Sequence, residues 1–248
     1  MISFIVPAHN EELLLGRTLA AIQEVGESIG EPWEVIVVDD ASTDGTSTIA
    51  AKQGARVISV RHRQIAATRN SGGCAAGGEI LFFVDADTLP TREAVAACLR
   101  ELRAGAVGGG CMFEFDCPLP WWARIVHPLA TAAGRWLKLV GGCFLYCTRE
   151  AFAASGGFDE QYFAGEELDF MRRLKRLGRV VVPRATVITS GRKLSQLRAW
   201  SMLTILVQAT LFGLKPFRQR EGLDLWYKQR ESSVPLPETD SKDGSHSQ

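Results

Sequence analysis

Two aspartates that could bind a metal ion, Asp85 and Asp87, directly follow the apolar run 80–84. Five consecutive apolar residues are too few for a helix and predict a strand buried on both faces. The loop after such a strand lies at the carboxyl edge of an open α/β sheet, where ligands bind. Carboxylates there suit Mg²⁺ or Mn²⁺, which combine carboxylate with phosphate oxygens. The alternative is a polar turn whose aspartates cap a helix.

A second pair of carboxylates, Asp39 and Asp40, follows the predicted strand 34–38. On a nucleotide-binding sheet, a carboxylate in this position accepts hydrogen bonds from a base or a ribose. A helix-capping cluster is the alternative, with Asp44 as the cap.

Two glutamates, Glu166 and Glu167, stand at the start of a predicted helix. Residues four apart share a helix face, so Glu167 shares its face with Met171 and should lean toward the interior or a cleft. A carboxylate held there can take the proton of an acceptor hydroxyl as a general base. The alternative is that the helix dipole favours glutamates in a first turn whatever their function.

The elements that must position these residues alternate between strands and helices. Strands are predicted at 2–6, 34–38, 56–60 and 80–84; helices are predicted after an Asn10 cap, at 46–52 and at 64–76. This order predicts a Rossmann-like α/β domain with a parallel or mixed sheet and helices on both sides. The second half predicts helix 91–103, strand 106–115, helical stretch 118–140, strand 141–147, helix 150–154, the helix that opens at 165, and strand 180–182.

No dinucleotide-binding glycine motif and no P-loop follows the first predicted strand. If a nucleotide binds, its phosphates must therefore contact a metal ion, helix amino termini, or Arg63 and Arg69. The alternative for Arg69 is a solvated arginine on its helix.

Composition narrows the class of protein. The 28 basic residues balance the 28 acidic ones, so the chain lacks the overall positive charge that nucleic-acid binding exploits. The six cysteines show no zinc-site spacing, and reduced thiols in the cytoplasm are the simpler interpretation. The short apolar start meets Glu11 at once, which is unlike a signal peptide.

The uncharged run 199–214 predicts an apolar carboxyl-terminal helix with basic residues on both flanks. At about 1.5 Å per residue it falls short of the roughly 30 Å hydrocarbon core. It therefore predicts either an interfacial helix on the inner face of the cell membrane or a helix packed on the protein or on a homodimer partner. Three regions follow: 1–190 as the main domain, 191–230 as a helical extension, and 231–248 as a disordered tail.

Five ordered motifs together resemble the family 2 glycosyltransferases of the GT-A fold. They are residues 4–12 (FIVPAHNEE), 37–46 (VVDDASTDGT), 67–72 (ATRNSG), 85–87 (DAD), and 156–160 with 165–169 (GGFDE and GEELD). The resemblance covers about residues 2–183. One departure is the acidic pair: the family usually has Glu-Asp, whereas this chain has Glu166 and Glu167, which adds a methylene to the second carboxylate.

The resemblance implies a UDP- or GDP-sugar donor and, most often, inversion at the anomeric carbon. It implies that Asp87 and Asp85 hold Mn²⁺ or Mg²⁺ on the donor diphosphate, and that Glu167, next to Glu166, is the base. It places nucleotide binding at Pro7, Ala8, Glu11, Asp40, Arg69 and Asp85. The acceptor is left open, with a lipid-linked molecule as one expectation if the membrane interpretation holds.

Two other functions compete with this one. A sugar-phosphate nucleotidyltransferase has a related sheet, but it should show a glycine-rich phosphate loop after the first strand, where this chain has residues 7–12 (PAHNEE). A catalytically silent nucleotide-binding protein of the same fold is the second alternative, and the glutamate at position 167 is its support.

Overall fold

In the computed structural model, the described residues are 1–138 and 140–192. Their strands are β1 (Ile2–Ala8), β2 (Trp33–Asp40), β3 (Arg56–Val60), β4 (Ile80–Val84), β5 (Thr88–Leu89), β6 (Gly108–Gly110), β7 (Met112–Phe115), β8 (Phe144–Thr148), β9 (Val180–Val181) and β10 (Thr186–Thr189). Their helices are α1 (Leu15–Ile29), α2 (Thr46–Lys52), α3 (Ile65–Ala75), α4 (Arg92–Arg103), α5 (Trp121–Leu137), α6 (Arg149–Ser155) and α7 (Glu166–Leu177).

The fully buried strand β1 lies near the middle of a seven-stranded sheet in the order β3-β2-β1-β4-β8-β6-β9. Strands β3, β2, β1 and β4 are parallel, whereas β8 is antiparallel to both β4 and β6. The predicted mixed α/β sheet is therefore confirmed. Because β1, β2 and β4 run parallel, the residues that follow all three meet at one edge.

Helices cover both faces of this sheet, as the alternating pattern predicted. One apolar core includes Leu19 of α1 and Leu99 of α4. The opposite core includes Ala66 of α3, Phe152 of α6 and Phe170 of α7. The helices α3 and α7, which carry candidate site residues, thus share one face.

The single strand predicted at 106–115 is wrong, because it is two strands in two sheets. β6 pairs with β8 and β9 in the main sheet, whereas β7 joins a small sheet in the order β5-β10-β7. Close packing explains the glycines of β6: a Cβ on Gly109 would lie 1.8 Å from the Val181 carbonyl oxygen. Neither β5 nor β10 was predicted.

The predicted cap of the first helix is also wrong. Asn10 has a left-handed backbone with φ of 54°, and α1 begins five residues later, at Leu15. The Asn10 side chain instead accepts a hydrogen bond from the Thr43 amide at 2.8 Å. This contact ties the loop after β1 to the loop after β2.

The predicted apolar helix 199–214 and the tail 231–248 lie outside the described residues, as does the extension 191–230 apart from its first two positions. Within 1–138 and 140–192, no helix is long and apolar enough to span a membrane.

Candidate active site

Arg69 on α3 is the centre of a buried charge network, with only 2% of its surface exposed. Its Nη1 donates to Glu166 Oε1 at 2.5 Å. Its Nη2 donates to Asp85 Oδ1 at 2.8 Å and to the Gly142 carbonyl oxygen at 2.9 Å. The guanidinium also lies 5.3 Å from the ring centroid of Phe158. The expectation of a solvated helix arginine is thus wrong, because α3 turns this residue toward the sheet.

The carboxylates around Arg69 keep it charged. Burial alone would lower its pKa, but the nearby carboxylates of Asp85, Glu166 and Glu167 outweigh burial and raise the pKa above its ordinary value. A buried charge of this kind is tolerated only when it is paired and hydrogen-bonded. Arg69 therefore fixes the relative positions of the loop after β4 and the start of α7.

Glu166 and Glu167 occupy the first turn of α7, which follows Gly165 with its left-handed φ of 74°. Glu166 is the more buried of the pair, at 4% exposed, because it continues the buried stripe of Phe170 and Leu174 at four-residue spacing. The same four-residue spacing in the sequence predicts a buried Glu166, whereas the prediction above concerned the face of Glu167.

Glu167 is half-buried, and burial raises its pKa to about 8, with a further contribution from the Glu166 carboxylate and an opposing one from Arg69. A carboxylate whose pKa lies close to neutral pH is suited to take and release a proton. The geometry places it beside the Arg69 network: a Cβ on Gly142 would lie 3.5 Å from the Glu167 carboxyl carbon.

The absence of a side chain at Gly142 leaves room for Arg69 and Glu167, and this leads to a prediction. In Gly142→Ala the new methyl group would lie 3.1 Å from Arg69 Nη2 and close to Glu167. We expect about 1–3 kcal/mol of lost stability from overpacking, together with reduced turnover. Urea denaturation and steady-state kinetics measure the two effects. Gly16→Ala is the control. Gly16 lies in α1, where the new methyl group would meet the flexible end of the Gln53 side chain and should not destabilise. Equal behaviour of the two variants would contradict the packing argument.

The loop after β4 turns at once, with the Thr88 amide donating to the Asp85 carbonyl oxygen at 3.0 Å. Asp85 faces Arg69, and Asp87 has its Oδ2 3.6 Å from Arg192 Nη2. The two predicted metal ligands thus contact two different arginines.

Arg192 joins the candidate site, although the sequence marks it only as one of the basic residues that flank the run 199–214. Its Nη2 donates to both carboxylate oxygens of Glu11, at 2.7 and 2.6 Å, besides lying near Asp87. These charges raise the pKa of Arg192 even though burial opposes the increase. Nothing in the local sequence signals this contact, because 181 residues separate Arg192 from Glu11.

Asp40 holds the start of α3. Its Oδ1 accepts from the Arg63 amide at 2.8 Å, and its Oδ2 accepts from the Gln64 amide at 3.1 Å and from Thr68 Oγ1 at 2.8 Å. A carboxylate at a helix start accepts hydrogen bonds from the free backbone amides there, and its negative charge interacts favourably with the helix dipole. The structure thus shows Asp40 positioning the helix of Arg69; its contact with a nucleoside stays a prediction.

Pro7 and Ala8 are buried at the carboxyl end of β1, where they pair with Val38 and Asp39 of β2. They therefore lie at the same sheet edge as Asp40, which ends β2. Their predicted contact with a nucleotide stays a prediction.

Strain is concentrated at this edge of the sheet. Asn10, Ala41 and Arg63 have φ of 54°, 55° and 53°, a left-handed conformation that is uncommon for residues other than glycine. They follow β1, β2 and β3 respectively. Such strain collects at ligand sites, where the surrounding structure holds it in place.

Asn70, next to Arg69, fixes the loop before α7. Its Oδ1 accepts from the Phe158 amide at 2.7 Å, and its Nδ2 donates to the Phe158 carbonyl oxygen and to Glu160 Oε1, both at 2.9 Å. On α3, Asn70 thus holds the loop 156–160, and the adjacent Arg69 holds the start of α7.

The donor chemistry at this edge fits a divalent cation bound together with phosphate. Asp87 and Asp85 offer carboxylate oxygens, and Mg²⁺ typically takes one or two carboxylates and completes its shell with phosphate and water. Across the described parts of the chain, no cluster of three or more His, Cys, Asp or Glu side chains is arranged to hold a metal ion.

Comparison with known proteins agrees with this geometry. The family model described as glycosyl transferase family 2 matches residues 3–152. The probable glycosyltransferase YdaM of Bacillus subtilis is 28% identical over 156 residues, which are 58% of this chain and 34% of that protein. The undecaprenyl-phosphate 4-deoxy-4-formamido-L-arabinose transferase of Pectobacterium carotovorum is 42% identical over 52 residues, 19% of this chain and 15% of that protein. The chain therefore spans well under two thirds of the length of either relative.

Among solved structures, the mannosyltransferase PcManGT of Pyrobaculum calidifontis is similar in fold. It was crystallised with GDP-Man and Mn²⁺, and it superposes with a TM-score of 0.65 at 23% identity, covering 91% of this chain and 66% of that one. At this level of identity the likeness shows the fold.

Proposed function

The chain belongs to glycosyltransferase family 2 and has the GT-A fold, and from this membership we propose that it transfers a sugar from a nucleotide sugar to an acceptor hydroxyl, with inversion at the anomeric carbon. The observation that carries the proposal is the Arg69 network, which joins the start of α7 to the Asp85 loop through two hydrogen bonds to carboxylates. A base and a diphosphate site held together in this way are what a one-step displacement requires.

Glu167 removes the proton of the acceptor hydroxyl. The acceptor oxygen then forms a bond to the anomeric carbon as the bond from that carbon to the diphosphate oxygen breaks, and the nucleoside diphosphate leaves with the bonding electrons. The pKa of about 8 lets Glu167 hold this proton after the attack. Attack from the face opposite the leaving group gives inversion.

Arg69 and Glu166 position these groups: Arg69 binds the Asp85 side chain on one side and Glu166, the neighbour of the base, on the other. Asp87, with Asp85 beside it in the loop, would hold a divalent cation, Mn²⁺ or Mg²⁺, whose Lewis acidity stabilises the charge of the departing diphosphate.

The donor is proposed to be a UDP- or GDP-sugar. The complex of PcManGT with GDP-Man supports a donor of this class at the same fold. The name of the Pectobacterium relative includes a lipid, undecaprenyl phosphate, which supports a lipid as the carrier of the acceptor hydroxyl.

Nucleotide binding by titration calorimetry tests the proposal. A panel of nucleoside diphosphates and their sugars is titrated with Mn²⁺ and with EDTA, in the wild type, Asp87→Asn and Asp116→Asn. We expect one nucleotide to bind tightly in Mn²⁺, and we expect EDTA or Asp87→Asn to weaken it by at least about ten-fold, the loss of one charged ligand contact. Asp116→Asn is the matched control, because it removes the same charge near Arg192 and keeps the oxygen that accepts from the Gly191 amide.

The products separate this proposal from its alternatives. Release of a nucleoside diphosphate from the sugar donor supports the glycosyltransferase, whereas release of pyrophosphate from a nucleoside triphosphate would indicate a nucleotidyltransferase. Binding without any turnover across acceptors would indicate a silent binding protein. No binding by any nucleotide in any metal would overturn the proposal.

A further inference from the structure

The helix α5 turns its apolar face to solvent. Trp121, Leu129 and Trp136 are 78%, 68% and 83% exposed, and Val126 and Leu137 are also exposed. At about 100° per residue these five side chains fall within roughly 160° of the helix circumference. At about 200 Å² for a large aromatic side chain, the two tryptophans near the ends of α5 together expose on the order of 300 Å². Val126 and Leu129 lie between them, and an exposed apolar surface of a few hundred Å² often marks an interaction site.

The opposite, narrower face of α5 contacts the protein. Ala123 and Gly134 are buried there, and the ring of His127 lies at steep angles to those of Phe113 and Phe115, with centroid distances of 5.9 and 5.5 Å. A helix that packed only for stability would bury its tryptophans and leucine and expose its small residues. In α5 two tryptophans and a leucine are exposed instead, so its apolar face is available for a partner.

The charged side chains of α5 and of the chain on either side of it have one sign. The sequence from 117 to 149 contains no aspartate or glutamate, whereas α5 and its end carry Arg124, Arg135 and Lys138. Lys175 of α7 adds to them, since its Nζ donates to the Leu137 carbonyl oxygen at 3.1 Å. Burial and the nearby Lys138 both lower the pKa of Lys175, which agrees with a concentration of positive charge at this end of the helix.

We propose that α5 is a docking surface for an anionic lipid bilayer and that it lies in the plane of the interface with Trp121, Leu129 and Trp136 immersed. Tryptophan is favoured at the boundary between head groups and acyl chains, and basic residues beside it are attracted to anionic lipid. At about 1.5 Å per residue the 17 residues of α5 extend roughly 25 Å, which suits lying along a surface.

Charge selects the bilayer over two other occupants. A second copy of the chain seated on this face would bring the basic residues of two α5 helices together, and like charges repel. The uncharged run 199–214 meets the same objection, because its flanks contain six basic residues at 192, 193, 198, 215, 218 and 220. An anionic bilayer offers acyl chains to the apolar face of α5 and negative head groups to its basic residues.

Along the chain, the docking surface is followed within a few residues by part of the candidate active site. Four residues after Lys138, Gly142 accepts a hydrogen bond from Arg69 through its carbonyl oxygen. If the proposed transfer is correct, docking through α5 anchors the protein by an element that precedes this contact by only a few residues, which suits an acceptor carried by a lipid. The docking itself does not depend on that activity and is measured without it.

Vesicle co-sedimentation of the full chain tests the docking surface. The vesicles are phosphatidylcholine alone or an equal mixture with phosphatidylglycerol, and the variants are Trp121→Ala/Trp136→Ala, Arg124→Gln/Lys138→Gln and Leu13→Ala. We expect binding to the mixed vesicles, a fall of at least about ten-fold in the partition coefficient of the tryptophan variant, and a fall of about five-fold per basic residue removed. Leu13, an exposed leucine outside α5, is the control and should have no effect.

Circular dichroism of each variant establishes that it is folded, and light scattering gives its mass. Failure of the wild type to bind mixed vesicles would overturn the proposal, as would undiminished binding by a folded tryptophan variant. A concentration-dependent dimer that is lost in the tryptophan variant would show that the partner of this face is a second copy of the chain and not a bilayer. Because nucleotide binding is measured separately, loss of docking and failure of the proposed transferase are distinguishable.

Discussion

Replacing Glu167 by glutamine is expected to lower kcat for sugar transfer by about 10²–10⁴-fold, the usual contribution of a general base. Glutamine preserves the size and the polar contacts of the side chain but cannot accept the hydroxyl proton. Nucleotide affinity should stay close to that of the wild type, because the donor contacts are proposed at Asp87, Asp85 and the loops after β1 and β2. Single-turnover kinetics with saturating donor measures the chemical step.

Glu150→Gln supplies the matched control for this prediction. Glu150 also stands in the first turn of a short helix, α6, but it is exposed and follows Thr148, which pairs with Ile80 at the end of β4 opposite to Asp85. It should retain wild-type kcat. A Glu167→Gln enzyme with kcat within ten-fold of the wild type would rule out Glu167 as the base. Glu167→Asp, which restores the pair usual in the family, should retain substantial activity.

The pKa of Glu167 gives this prediction a dependence on pH. The base is active when ionised, so kcat should rise with pH to a plateau, with a midpoint close to the pKa of about 8.

The raised pKa of Glu167 also affects stability. The folded state binds the proton of Glu167 more tightly than the unfolded state, for which 4.5 is the ordinary pKa. The free energy of unfolding therefore falls as pH rises between these two values, and that fall should be absent in Glu167→Gln. Urea denaturation across this range measures the difference, and identical pH dependence in both proteins would contradict the assignment.

Replacing Arg69 by methionine is expected to cost about 3–5 kcal/mol of stability and to abolish transfer. The substitution leaves Glu166 buried without its cation, and breaking a buried pair by removing one partner leaves an uncompensated charge. It also releases Asp85 and the Gly142 carbonyl oxygen from their shared donor. The urea midpoint monitored by circular dichroism measures the stability change.

Two further variants separate charge from packing at this position. Arg172→Met, an exposed arginine of α7, should change stability by less than about 0.5 kcal/mol. The double variant Arg69→Met/Glu166→Gln should regain part of the lost stability, since no buried charge is left unpaired, yet it should stay inactive. If Arg69→Met were as stable as Arg172→Met, the buried network would not contribute to stability as argued.

The first half of the fold was predictable from sequence because its elements are local. The helix 46–52 and the strands 56–60 and 80–84 have the predicted bounds, since glycines or charged residues end each apolar run. Parallel strands bring their carboxyl ends to one edge, so the clustering of Asp40 with Asp85 and Asp87 at one sheet edge followed from the order of elements alone.

The features that sequence reasoning missed depend on contacts between distant residues. The backbone of Asn10 is set by its bond to Thr43, 33 residues away, rather than by helix capping. The break between β6 and β7 arises because neighbouring residues pair with β8 and with β10, in two different sheets. Arg192 contacts Glu11 from almost the other end of the described chain. Spacing and periodicity carry no information on such pairings.

The long stretch of chain between Arg69 and Glu166 has a consequence for biosynthesis. The parallel half of the sheet, with Arg69 already on α3, leaves the ribosome long before Glu166, which follows 97 residues later. Until α7 is synthesised and docks, Arg69 lacks the carboxylate of Glu166, and the nascent domain should be less stable than the completed one. Contacts of such large sequence separation also slow folding. Formation of the Arg69–Glu166 pair thus marks a late step, at which a newly made chain acquires its final structure and its candidate active site together.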